Sequence, residues 1–251
     1  MTFNEKLEAI YQQANISQKN TLEDTANPNK THYLYETVTE YEINQQKRFD
    51  MKFGSVKQFV LSGCEGEKIT IRVASDTLPT LQRDFQVKID DIRKRIDIQA
   101  KRKNGISQET AENEVSIFVQ IPEKYVDTVE CAVNAGVLEI HSLKCENTEL
   151  DAKAPNLILN GVAGTVEVNC NLNMNILCQS LNGAVEVNQI SADSKIYIPQ
   201  GTKFNTVEKG FGTVITYEQN GKETEPFITK DSDNVIELNG IKSRLAVCTY
   251  N

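Results

Sequence analysis

The sequence predicts an all-β chain whose middle is a β-solenoid. Three observations predict it. Apolar and polar residues alternate with period two from about residue 32, strand-like runs recur every eight to eleven residues between 123 and 200, and "LNGVAGTVEVNC" (159–170) is echoed by "LNGAVEVNQI" (181–190). A period of two is the signature of a pleated strand, and a fixed longer period is that of a stacked repeat.

The chain opens differently. Phe3, Leu7, Ile10, Tyr11 and Ala14 fall on one face at helical spacing, which predicts a short amphipathic helix over 3–14. Such a helix is too short to stand alone, so it docks on the body or on a second subunit. Phe3, Leu7, Ile10 and Tyr11 are therefore the candidate partner contacts. The polar, Asn-rich stretch 17–31, with Pro28, reads as a linker. Residues 1–31 thus form a helix and a linker, 32–122 a β-rich N-terminal part, 123–200 the solenoid rungs and 201–251 a cap. Residues 32–251 are read as one continuous domain.

In the β-rich part, "RFDMKF", "KQFVLSG", "KITIRVAS", "FQVKID", "RIDIQAK" and "EVSIFVQIP" are strand candidates rich in β-branched and aromatic residues. "SGCEGEK" and "KNGISQ" supply turns, and Pro122 ends the last of these strands because it cannot donate to a ladder. No stretch after residue 15 keeps a helical period for long. In the rungs, two valines flank a glutamate, as in Val166-Glu167-Val168 and Val185-Glu186-Val187. The valines then face a common core while the acids face water. Glu139, Glu167 and Glu186 are read as equivalent members of one acidic face.

Gly136, Gly164 and Gly183 precede their strands, where a tight corner excludes a Cβ. The eight asparagines between 156 and 188 are expected to stack in ladders at the corners. Past residue 200 the period lapses. Asn220-Gly221 is the strongest hairpin signal in the chain, and the hairpin with the last strands is expected to cover the open end of the solenoid.

Composition narrows function by exclusion. The 251 residues carry a formal charge of −8, and the C-terminal half is the acidic one, with 10 basic and 17 acidic groups after residue 120. Phosphates repel such a surface, so nucleic acid is not an expected partner. The basic cluster "RKRIDIQAKRKNG" (93–105) alternates with apolar residues and reads as the wet face of a strand. No apolar run spans a bilayer and no export signal is present, so a cytoplasmic location is expected, with export to the surface the alternative. The six cysteines contain no CxxC pair and several sit in apolar runs, which suits reduced, buried thiols.

Catalytic chemistry finds little support. The two histidines are His32 and His141; Glu139, His141, Cys131 and Cys145 are close in sequence, but their spacing matches no common zinc module, and no metal or cofactor is expected. No Gly-x-Ser-x-Gly elbow or phosphate loop is present. The acids suit a polysaccharide-active β-helix superficially, but residues 154–194 hold no Arg or Lys and the chain has no Trp.

The Gly-x-Val-Glu-Val rungs, the lead-in "KQFVLSGCEGEKITIRV" and the passage "RIDIQAK … EVSIFVQIPEKY" resemble the bacterial putative-adhesin family of β-strand-repeat proteins. The resemblance covers about residues 48–200. It implies a β-solenoid related to right-handed β-helices, no catalytic residues, and a link to cell-envelope stress regulation in some members. The expected function is a non-enzymatic interaction or scaffold protein that binds a protein partner or itself. The alternative is a carbohydrate-binding or carbohydrate-active protein using the acidic face.

Overall fold

The computed structural model describes residues 1–16, 33–103 and 105–251. The linker expected at 17–31 and His32 lie outside the described residues. The chain begins with helix α1 (Phe3–Gln13), closed at its N-terminus by a capping box in which Thr2 and Glu5 bond each other's backbone. Among the described residues, most of the rest is strand.

The N-terminal part contains β1 (Tyr35–Glu42), β2 (Lys47–Cys64), β3 (Lys68–Ser75), β4 (Phe85–Ile92), β5 (Arg95–Arg102) and β6 (Ser116–Pro122). Two short helices, α2 (Leu81–Asp84) and α3 (Gln108–Glu114), interrupt it, neither of them long enough to contradict the expectation that no stretch after residue 15 keeps a helical period for long. Four and seven residues are too few to print a helical period in a sequence. Next come β7 (Val126–His141), β8 (Lys144–Lys153), β9 (Asn156–Asn160), β10 (Ala163–Cys170), β11 (Asn175–Cys178), β12 (Gly183–Ile190) and β13 (Asp193–Pro199). The chain finishes with β14 (Asn205–Phe211), β15 (Val214–Gln219), β16 (Lys222–Thr224), β17 (Val235–Ile241) and β18 (Arg244–Tyr250).

Most strands pair in parallel along two ladders. The first runs β5, the front of β2, the front of β7, β8, β10, β12, β17, β14. The second runs β6, the back of β2, the back of β7, β9, β11, β13, β18, β15. The long strands β2 and β7 serve both, with a register shift between Lys52 and Ser55. Antiparallel strands trim the edges: β3 on β6, β1 on β3, β4 on β5 and β16 on β15.

The core follows from the alternation. Val166, Val168, Val185, Val187, Ile236 and Leu238 of the first ladder join Ile176, Ile196, Ile198, Leu245 and Val247 of the second in one buried cluster. In register, Val166 meets Val185 and Val168 meets Val187, so identical side chains lie side by side. The echoed motif is therefore a pair of hydrogen-bonded neighbours.

The glycines behave unequally. Gly164 and Gly183 adopt φ of +100° and +126°, and a Cβ on either would lie 1.9 Å from the Cys145 carbonyl oxygen or 2.2 Å from that of Gly164. Gly136 has no positive φ; its Cβ is excluded instead by the Lys57 carbonyl, 2.8 Å away.

The C-terminal region departs from expectation in its order. Asn220 (φ 53°) and Gly221 (φ 74°) make the expected hairpin between β15 and β16. The last strands, however, do not form the outer cap. β17 lies between β12 and β14, and β18 between β13 and β15, so the final strands insert into the stack and the 205–224 hairpin unit becomes its end. Phe227 closes that end, its ring 5.7 Å from Phe204 and 5.4 Å from Tyr217. Among the described residues no helix is long and apolar enough to cross a membrane.

Candidate functional site

The outward side of the first ladder is built by the residue between the valines. Register places Asp97, Asp50, Glu130, Glu149, Glu167, Glu186 and Glu237 in one continuous column. Adjacent strands are about 4.8 Å apart, so neighbouring carboxylates repel at close quarters. Both ends are neutralised: Arg95 pairs with Asp97, Arg48 with Glu130, and Lys209 Nζ lies 2.8 Å from Glu237. Among the described residues the middle three, Glu149, Glu167 and Glu186, have no ion pair.

Amides partly replace the missing cations. Asn169 and Asn188 stand beside the acids in the next outward position along each strand. Asn169 Nδ2 donates to Glu149 and Asp151 at 3.1 Å each, and Asn188 Nδ2 donates to Glu167 at 2.7 Å and to Asn169 Oδ1 at 2.8 Å. The expected asparagine ladder therefore exists, but on this face and not only at the corners. Residual burial and repulsion still hold the carboxyls of Glu149 and Glu186 above the usual range. Burial is the first cause for both; Glu167 and Glu130 follow for Glu149, Glu237 and Glu167 for Glu186.

Glu139 is not a member of this column. It lies in the second ladder, opposite Val60 and Ile158, and is fully buried. This corrects the reading that grouped it with Glu167 and Glu186, which do sit side by side. The Glu139 carboxylate accepts from Tyr11 Oη at 2.8 Å and Gln58 Nε2 at 2.6 Å, and lies 2.9 Å from His141 Nε2. Asn160 Nδ2 is 3.3 Å from His141 Nδ1. Burial, then the Glu139 charge, pushes the Tyr11 hydroxyl far above the ordinary tyrosine value.

This network sits beneath α1. Phe3, Leu7 and Tyr11 are buried with Val137, Ile158, Leu177 and Tyr250, and Ile10 is half-buried against the same cluster. The four residues expected as partner contacts are thus packed on the chain's own second ladder. Lys6 extends that packing, its ammonium 3.9 Å from the Tyr197 ring centre. Cys131 faces the core of the first ladder while Glu139 and His141 lie under the helix, so they do not converge on one ion. Among the described residues no group of three acidic, His or Cys side chains is placed to hold a metal. The six cysteines are free; burial pushes the Cys178 thiol up to about 12, and burial with Glu218 does the same to Cys248.

One feature of the outward face was missed in sequence reasoning. Ile190, Ile241 and Phe211 are register partners and all are exposed. The signal was present as "EVNQI" and "ELNGI", in which the outward alternation Glu, Asn, Ile repeats.

No family model and no curated protein matches the chain. Several solved structures align with most of its length. A "putative cell adhesion protein" from Clostridium sporogenes is 16% identical, with 86% of this chain and 99% of that one aligned at a TM-score of 0.43. A "putative adhesin" from Bacteroides fragilis is 9% identical, covering 86% and 98% at 0.35. A "putative lipid binding protein" from Parabacteroides distasonis is 11% identical, covering 85% and 97% at 0.30.

Proposed function

We propose that the two parallel ladders form a β-solenoid and that the protein is a non-enzymatic, adhesin-like binding protein acting through its outward Glu/Asn face. One observation carries this reading: successive strands present chemically identical side chains in register, Glu167 beside Glu186 and Asn169 beside Asn188, at a wet surface. Such a surface offers repeated equivalent contacts to an extended ligand. Among the described residues the histidine and thiols that nucleophilic chemistry would need are engaged elsewhere. His141 is buried with both ring nitrogens near partners, and the thiols are held protonated by burial.

A carbohydrate is the second reading, favoured by the row of amides and carboxylates that match sugar hydroxyls. Binding of the intact chain to arrayed glycans, peptides and proteins, run beside polysaccharide-cleavage assays, tests both. Saturable binding without conversion of the ligand, weakened by joint Glu167→Gln and Glu186→Gln substitution, supports the proposed function. Cleavage of a glycan abolished by the same substitutions overturns it.

A further inference from the structure

The outward face ends in an apolar strip. Ile190, Ile241 and Phe211, from three successive strands, are 52%, 47% and 74% exposed. They line a groove of about 880 Å³, shared with Leu172 and with Asn188 and Asn239 of the asparagine row. Four residues back along β12 and β17, about 13 Å away, stand Glu186 and Glu237 of the acid column, while on β14 that place is taken by Val207. The two features are parallel, both following the stack axis.

Their spacing fits a helix. Rungs repeat at about 4.8 Å and helical turns at about 5.4 Å, so a helix laid along the axis presents roughly one side chain per rung. The protein already uses this mode on its second ladder. There Phe3, Leu7 and Tyr11, one per turn of α1, pack among residues contributed by β7, β9, β11 and β18. Charge then selects the chemistry of the occupant. Among the described residues Glu149 and Glu167 have no ion pair, and Glu186, although Lys209 partly offsets its charge, is still crowded by Glu237 and Glu167, so Lys or Arg reaching across the asparagine row would relieve them. A second copy of α1 is the wrong sign, since its Glu5 and Glu8 outweigh Lys6.

We propose that this groove docks an amphipathic α-helix of a partner protein, with Leu, Ile or Phe at turn spacing on the strip and Lys or Arg along the flank that meets Glu167 and Glu186. The inference rests on the non-enzymatic binding reading and names its ligand class.

The test is fluorescence anisotropy of the intact chain with a labelled peptide of about 18 residues, five helical turns, bearing a leucine row beside a lysine row. The expected result is binding about tenfold tighter than that of a scrambled peptide of equal composition, and a similar margin over one with Glu for Lys. Ile190→Ser, Phe211→Ser and the joint Glu167→Gln, Glu186→Gln variant each weaken it, while Ile92→Ser, at an exposed site on β4, leaves it unchanged. These side chains are at the surface, so circular dichroism is expected to show an intact fold. Equal affinity for the scrambled peptide, or indifference to all groove variants, overturns the inference. If glycans bind this face and the peptide does not, the helix site is refuted and the binding function stands; if nothing arrayed binds, the binding function itself fails.

Discussion

The Tyr11 hydroxyl donates to the Glu139 carboxylate at 2.8 Å, tying α1 to a strand 128 residues further along the chain. Removing that donor leaves a buried carboxylate with Gln58 and His141 alone. Tyr11→Phe is expected to cost about 1–3 kcal/mol, the range for a buried group deprived of a bond. Urea denaturation reads the loss, and hydrogen exchange reads faster opening of residues 3–13. An unchanged midpoint with unchanged exchange in α1 counts against the network as the helix's anchor.

Gly183 and Gly201 both have positive φ, but only Gly183 faces a neighbouring backbone. A Cβ there meets the Gly164 carbonyl oxygen at 2.2 Å, whereas at Gly201 nothing lies within 4 Å. Gly183→Ala is expected to destabilise by about 3 kcal/mol through strain plus strand separation, and Gly201→Ala by about 1 kcal/mol through strain alone. Melting temperatures of the two variants, compared side by side, check the difference; equal shifts refute the close-approach account.

The acid column predicts a pH dependence with a definite sign. The carboxyls of Glu149 and Glu186 are held above their ordinary 4.5 in the folded state, so the native protein keeps protons that the unfolded chain releases. Their contribution to stability therefore falls as pH rises from 4.5 through the raised folded values. Glu167 repels both groups, so Glu167→Gln is expected to flatten this fall and to gain about 0.5 kcal/mol at neutral pH. Below 4.5 the gain disappears. Denaturation midpoints across that range decide it, and a gain independent of pH contradicts the electrostatic cause.

How much of this was legible in the residues depended on range. The valine-glutamate-valine alternation fixed which side chains face the core, and Asn220-Gly221 named its hairpin, because both are local. Glu139 was misplaced because "AGVLEI" looks like another rung, yet β7 is a 16-residue strand that has already crossed into the second ladder by Gly136; Glu130, in "VECAV", is the true column member. The helix over 3–14 was readable, but not the ladder it lies on. The neighbours of β17 were not readable either, since alternation marks a strand without naming its partners.

Those neighbours carry a further prediction. β17 and β18 fill the space between β12/β13 and β14/β15, and buried bonds lock them there: Ser243 Oγ donates to the Gln189 carbonyl at 3.1 Å, and Gln189 Nε2 donates to the Arg244 carbonyl at 3.0 Å. Deleting residues 234–251 is expected to remove hydrogen-exchange protection from 205–219 as well, although none of those residues is cut. Retained protection there shows that β14 and β15 hold without the inserted strands.

The insertion also sets an order of events. Residues 205–224 leave the ribosome before 235–250, at a time when the edge of β12 is open and β14 is the nearest strand to fill it. Were β14 to pair there first, that contact would compete with the native arrangement and would have to open before β17 could enter. Rungs up to β13 can be laid down one upon another as they are made, whereas the last two are completed together, in reverse order of synthesis. In the finished fold the terminus is thus closed by strands made last and seated between strands made earlier.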